Sequence, residues 1–276
     1  MKDVIVKLKD GGLGLLANNP SGVHAKVGVA SRAPVGQIVT LSDHGQIDDV
    51  IGVGPLADAL LDSFVAGSSI IYAIAAEADI PGVIGEVIHT GTSAGSLAAA
   101  GAPLNAYSVV VEITTSGRYN TAVFRYSLDG GATWSALVTV PVDGVYLIPD
   151  TGITLTFTED LEEPPTSFVS GDRWSFAASA PQASTTAVNA AIDVLLDSQK
   201  SYDFIHVVGA TDAAMWAALD ARATEAFGDF RYLHILAECR YPNADETVDE
   251  WVAAMETAAA NFASTRVSVC AQFAQV

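Results

Sequence analysis

Between residues 82 and 181 the chain changes texture, and that change limits what it can fold into. The segments YSVVVEITTSG, NTAVFRYSLDGGATWSALVTV, GVYLIPDTGITLTFTED and GDRWSFAAS are strand-like runs. Turn residues separate them at intervals of roughly 8–15 residues. Almost nothing in this stretch carries helical periodicity. On both sides of it, apolar strands alternate with amphipathic helices, the pattern of a mostly parallel sheet with flanking helices. One sheet cannot serve both patterns. The expectation is an α/β body, discontinuous in sequence, interrupted by an inserted all-β antiparallel sandwich-like domain. Its parts are an extended N-terminal arm (1–21), a first α/β segment (22–81), the β insert (82–181) and a second α/β segment (182–276).

The elements of the body follow from local signals. GGLGLLANNPSG, with its Asn19-Pro20 and Ser21-Gly22 turn pairs, reads as a Gly-rich arm. VHAKVGVAS reads as a strand. Two helices follow, the first capped by Ser42 or Asp43 and the second begun at Pro55, with Leu56, Leu60, Leu61 and Phe64 at helical spacing. SIIYAIAAE is a buried strand. Beyond the insert, a helix capped at Ser184 or Thr185 buries Val188, Ile192, Leu195 and Leu196. YDFIHVVGA is a continuous apolar strand of the parallel-sheet type. The next helix is expected to be capped by Thr211 and closed by Gly228. YLHILAE is a strand, and a helix then aligns Val248, Trp251, Val252, Met255, Ala259 and Phe262 on one stripe. RVSVCAQF is the last strand. It runs almost to Val276, which reads as a truncated product.

Composition narrows the function classes. The 276 residues carry 32 acidic against 13 basic side chains, a net charge of -19, which repels phosphate backbones and argues against nucleic acid as a partner. Only 16% of residues are charged while half are apolar, the balance of a chain whose surface is covered by neighbouring subunits. Asp3 and Lys7 break any signal-peptide core, and no run approaches the roughly 18 apolar residues of a membrane span. Cys239 and Cys270 fall in strand-like runs without ligand spacing, so both read as buried free thiols of a chain made and kept in a reducing cytoplasm.

Four patterns invite a chemical reading. Ser127, Asp129, Gly131, Thr133 and Trp134 complete the Asp-box pattern of sialidase propeller blades. There the box is a hairpin ornament, and one box in about 100 β residues is no propeller. Here it reads as a structural turn. GTSAG (Gly91 to Gly95) matches the Gly-x-Ser-x-Gly elbow, with Ser93 as nucleophile. SLAAAGAPLNA after it reads as only a weak helix, and His206 and His234 lie inside buried strands, not on loops. A flexible entry into the insert is the plainer reading. GGLG and GVGPLAD lack the phosphate-loop fingerprints. The acidic runs Asp48-Asp49, Glu159-Asp160 with Glu162-Glu163, and Asp245-Glu246 with Asp249-Glu250 lack calcium-loop spacing. No catalytic, cofactor-binding or metal-ligating set is expected, and no enzymatic activity.

Three segments carry a resemblance to a known family. DVIVKLKDGGLGLLANNPSGVHAKVGVAS resembles the start of the tail-sheath-like proteins of contractile phages and phage-like elements. YSVVVEITTSGRYNTAVFRYSLDGGATWSALVTV looks like a β module of phage tail proteins, and YDFIHVVGATDAAMWAALDARATEAF is similar to the α/β body of tail sheath subunits. The resemblance implies a structural subunit without active-site residues. Such a subunit polymerises helically with copies of itself around a tail tube protein, receives its signal from a baseplate, and contracts to drive the tube through the target envelope. It implies a virion tail location, with assembly in the host bacterial cytoplasm and no nucleic acid or membrane partner. Asp3 to Leu16 would be the arm that pairs with neighbours. The family's inner, tube-facing part has no match before Val276. Two other readings stand beside this one: a cell-surface or glycan-binding tail module with Tyr119, Tyr126 and Trp134 as an aromatic platform, and a hydrolase acting through Ser93.

Overall fold

The structure, a computed structural model, describes residues 22–160, 167–229, 231–243 and 246–271. The expected arm therefore lies outside the described residues, as do Glu162, Glu163 and Asp245. The first α/β segment holds strands β1 (His24–Gly28) and β2 (Ile38–Leu41), helix α1 (Pro55–Val65) and strand β3 (Ile71–Ala75). The next eight strands are β4 (Ile88–Thr90), β5 (Ser96–Gly101), β6 (Tyr107–Thr115), β7 (Val123–Ser127), β8 (Val138–Thr139), β9 (Val145–Leu147), β10 (Ile153–Thr158) and β11 (Arg173–Ala178). Helix α2 (Thr185–Asp197), strand β12 (Ile205–Thr211), helix α3 (Ala213–Gly228), strand β13 (Ile235–Cys239), helix α4 (Val248–Ala260) and strand β14 (Val267–Cys270) complete the chain.

The body is a six-stranded sheet in the order β14-β13-β12-β1-β3-β2. All its pairs are parallel except β2 with β3. From β1 the chain steps outward to β3 on one side. After the insert it re-enters beside β1 as β12 and steps the other way through β13 to β14. Right-handed crossovers in opposite directions put their helices on opposite faces. Accordingly, Leu56 and Leu60 of α1 pack with Leu41, Ile71 and Ala73 on one face. Helices α2 and α3 pack Ile192, Leu195, Trp216 and Leu219 against Ala25, Val27, Ile205 and Ile235 on the other.

Every pairing of named strands in the insert is antiparallel, in a five-stranded sheet β4-β11-β6-β7-β8 facing a three-stranded sheet β5-β10-β9. Its core is the inward half of an alternating pattern. Val109, Val111 and Ile113 of β6, Leu155 and Phe157 of β10, and Trp174 and Phe176 of β11 share it with Phe124 and Phe168. Where the chain leaves the body and returns, Ile80 and Gln182 exchange both backbone hydrogen bonds, at 3.1 and 2.8 Å. No helix of the described residues is long and apolar enough to cross a membrane.

Several local readings need correction. The helix expected after Ser42 is a 3-10 turn (His44–Gln46) running into a π turn (Ile47–Ile51), capped by Asp43, whose carboxylate accepts the Gly45 N–H at 2.6 Å. SLAAAG is strand β5, not a weak helix, because pairing along all of β10 outweighs the helix propensity of alanine. Asp212, not Thr211, caps α3; Thr211 ends β12 and gives its hydroxyl to the Glu238 carbonyl at 2.5 Å. Gly228 is the last residue of α3, and Asp229 is its C-cap. Ser184 does cap α2, and α4 opens with a capping box of Thr247 and Glu250. The α4 stripe is only half used, since Trp251 is buried while Val248 and Val252 are exposed. Cys239 is buried as expected, but Cys270 is exposed on the edge strand.

Trp216 shows how far the body depends on this packing. Its side chain is 1% exposed and donates Nε1–H to Thr211 Oγ1 at 2.6 Å. Trp216→Ala is expected to lower unfolding free energy by about 4 kcal/mol, the usual cost of an aromatic-sized cavity. Urea denaturation checks this, and a loss under about 1 kcal/mol would contradict the packing.

Candidate functional site

The Asp box is a closed hydrogen-bonded hairpin following β7. Asp129 Oδ1 accepts the Ser127 hydroxyl at 2.6 Å and the Thr133 N–H at 2.9 Å, and Oδ2 accepts the Thr133 hydroxyl at 2.7 Å. Ser127 Oγ in turn accepts the Gly131 N–H at 2.8 Å. The Ser127 hydroxyl, followed by the Thr133 hydroxyl and N–H, holds the Asp129 carboxyl far below the usual carboxylate range. Every fixed polar residue of the box is thus spent on the turn. Trp134 lies under the Arg125 guanidinium, 4.2 Å from its ring centroid. Arg125 and Arg173 both grip Glu112, at 2.7 Å each. Tyr119 and Tyr126 turn inward onto the sandwich core instead, Tyr119 donating to the Phe157 carbonyl at 2.7 Å. The three aromatics therefore form no shared platform.

Around GTSAG the fold does assemble a serine, an aspartate and a histidine, but in the wrong order. Buried Asp172 accepts the N–H groups of Thr92, at 2.9 Å, and of Ser93. His89 Nε2 lies 3.6 Å from the same carboxylate, with its ring stacked on Trp174. Burial works to raise the Asp172 pKa, yet its hydrogen bonds from Ser93 and Thr92 hold it below the ordinary value. In a catalytic triad the histidine stands between serine and acid. Here the acid stands in the middle, and Ser93 Oγ accepts the Val169 N–H at 2.8 Å. Gly91 (φ +147°) is required because a Cβ there would sit 2.1 Å from Asp172 Oδ1. GTSAG is a loop lock.

Two helix starts and the acidic residues Glu246 and Glu159 are engaged within the chain. Leu56 N–H at the start of α1 donates to the Val29 carbonyl at 3.0 Å, and Met215 N–H donates to the Asp212 cap at 2.8 Å. Glu246 takes Arg240 through both oxygens at 2.6 and 2.7 Å. Glu159 accepts the Tyr119 N–H and faces Arg118 at 3.7 Å. Among the described residues no group of three or more His, Cys, Asp and Glu side chains is disposed to hold a metal ion.

One feature was not anticipated from the sequence. Along β12 and toward the carboxyl ends of β1 and β13 a cleft of about 890 Å³ opens between α1 and the end of the insert. Lys26, Asp58, Asp62, His206, Glu238 and Tyr241 line it. Lys26 and His206 are register partners across β1 and β12. Lys26 Nζ lies 2.8 Å from His206 Nδ1, and His206 Nε2 lies 2.8 Å from Glu238 Oε1. A bulge in β12 at Gly209 (φ +103°) turns its N–H onto Glu238 Oε2 at 2.8 Å. Burial lowers the Lys26 pKa to about 8, against the opposing pull of Glu238 and Asp62. Burial likewise raises the Asp58 pKa, against its hydrogen bond from Asn105 at 2.6 Å. The sequence did hold a signal: VHAKVG, FIHVVG and ILAEC each place one ionisable residue in a strand otherwise built for burial.

The molecule is thus a doubly wound α/β body carrying an inserted β sandwich. The chain belongs to the DUF2586 family, whose N-terminal domain model matches residues 1–276. Among solved structures it is similar to the sheath tail protein Lin1278 from Listeria innocua, at 11% identity and a TM-score of 0.36, covering 88% of this chain and 57% of that one. It is also similar to the sheath tail protein DSY3957 from Desulfitobacterium hafniense, at 16% identity and a TM-score of 0.37, covering 79% of this chain and 49% of that one. The chain thus spans about half the length of these proteins. No curated protein sequence matches it.

Two expectations follow from the site geometry. Asp172→Ala strands the Thr92 and Ser93 N–H groups and should cost about 2 kcal/mol in urea denaturation; an unchanged midpoint would contradict the lock. For Lys26, the folded pKa is about 8 and the unfolded value 10.5. Between those values the unfolded chain binds the extra proton, so stability rises with pH. Relative to Lys26→Met, the wild type should gain roughly 2–3 kcal/mol between about pH 7.5 and pH 10. His206, Glu238, Asp58 and Asp62 line the same cleft in both proteins, so the difference between them isolates the Lys26 amine. A constant difference would show that Lys26 is not desolvated.

Proposed function

We propose that the protein is a structural subunit of a contractile phage-type tail sheath. It polymerises with copies of itself around the tail tube protein and contracts, on a signal from the baseplate, to drive the tube through the target envelope. The observation that carries this reading is the sequence resemblance of the N-terminal stretch, the insert and the stretch from Tyr202 to Phe227 to tail-sheath-like proteins. On this reading the energy comes from the difference between two packings of the same subunit, and no active-site residue is needed. The work is assembly, not catalysis, and its place is the virion tail after assembly in the host cytoplasm.

Physical features support the reading. Among the described residues β14 pairs on one side only, so its other edge can take a strand from a neighbouring subunit. Residues Asp3 to Leu16, as the arm, are the proposed source of that kind of link. A low proportion of charged residues fits a surface largely covered in an assembly.

Negative-stain microscopy of the purified full-length gene product tests the proposal. Hollow, cross-striated cylinders wider than a bare tube are expected, and persistent monomers would overturn it. Deleting Asp3 to Leu16 should abolish the cylinders while leaving the circular dichroism spectrum unchanged.

A further inference from the structure

The cleft between β1 and β12 lies where the order of the sheet reverses. Helices leave such a seam on opposite faces, so a crevice remains open outside the carboxyl ends of the strands, and ligands of doubly wound sheets sit there. Its volume, about 890 Å³, falls within the roughly 300–1,000 Å³ of small-molecule sites. Lys26 reaches into this crevice from a side chain only 5% exposed.

The groups around Lys26 are ordered as an activated nucleophile is ordered. Glu238 on Nε2 keeps the imidazole proton on that nitrogen, so Nδ1 presents its lone pair to the lysine amine. Glu238 is itself oriented by the Gly209 N–H. An ammonium carries three donors, and among the described residues His206 alone accepts a hydrogen bond from Lys26. A buried ammonium would leave two donors unmatched, whereas a neutral amine suits the site. The pKa depression has the same physical origin.

We propose that Lys26 is a reversible covalent binding site, whose amine condenses with the carbonyl of a small uncharged aldehyde admitted by the cleft. The nitrogen lone pair adds to the carbonyl carbon, forming the C–N bond while the carbonyl oxygen takes up a proton. The amine's surplus proton passes to His206 Nδ1, and Glu238 stabilises the imidazolium. That proton is delivered to the carbinolamine hydroxyl, which leaves as water. The resulting iminium gives its N–H proton to solvent, replacing the one the carbonyl oxygen took from it, and the product is an imine with no oxidant or reductant consumed. Asp58 and Asp62, one turn apart on α1, line the same cleft and disfavour anionic ligands. This is binding and not turnover, and it is independent of the assembly role.

The test uses the whole chain. Benzaldehyde is added with sodium cyanoborohydride, which reduces the imine to a stable amine, and modified lysines are mapped by peptide mass spectrometry. Lys26 is expected to be modified at least about ten times faster than the exposed Lys200. Labelling of Lys26 no faster than Lys200 would overturn the proposal, as it would mark the three residues as a purely structural network. His206→Gln keeps the amine and should slow Lys26 labelling about tenfold at an unchanged melting temperature; an undiminished rate would overturn the role given to His206. Should that variant fail to fold, the wild-type map alone decides. Para-carboxybenzaldehyde should label Lys26 several-fold more slowly than benzaldehyde, and equal rates would overturn the assignment to uncharged ligands.

Discussion

The pairing of β1 with β12 joins residues about 180 positions apart, with Ala25 against Ile205 and Val27 against Val207. Everything else in the body is arranged around this seam. On one side the sheet grows by β3 and β2, on the other by β13 and β14. The entropy of closing so long a loop grows only with the logarithm of its length, so an inserted domain is tolerated if its ends come together. They do: Ile80 and Gln182 pair where the insert leaves and returns. A folded insert therefore acts as a short connection, not as a long flexible loop.

The same seam places the chemistry. Residues at alternate positions of β1 face α1 or the α2–α3 layer, and Lys26 falls on the α1 face beside His206. On that face α1 packs across β3, β1 and β12, and the cleft opens beside it. A buried ion pair is costly unless its remaining donors and acceptors are met. Glu238 meets that condition through His206 and Gly209. Lys26 meets it only in part.

Much of the fold was legible in the chain, and for identifiable reasons. Strand β10 alternates apolar and polar residues strictly, β6 and β11 do so over part of their length, and β12 is apolar apart from His206 and Thr211, so period and burial largely agree. The Ser184 cap, Pro55 at the head of α1 and the Asp-box hairpin are short-range devices, decided within a few residues. Readings failed where a distant partner decided the outcome. SLAAAG became a strand because β10 offered a full ladder. Thr211 was drawn to the Glu238 carbonyl, which left the capping of α3 to Asp212. Cys270 is exposed because β14 is the last strand of its sheet.

What the sequence determined by itself was the division into an α/β body and a β insert, with most elements and several caps, because periodicity and turn chemistry act over a handful of residues. Of the candidate constellations it singled out Ser93 and His206, but not Asp172, Lys26 or Glu238. Only the tertiary structure decided their company. It set Asp172 between Ser93 and His89, which makes a loop lock of an apparent nucleophile elbow. It brought Lys26, His206 and Glu238 together from three strands. Strand order and register are set by packing over the whole sheet, and no local pattern within β1, β12 or β13 specifies which strand will be its neighbour.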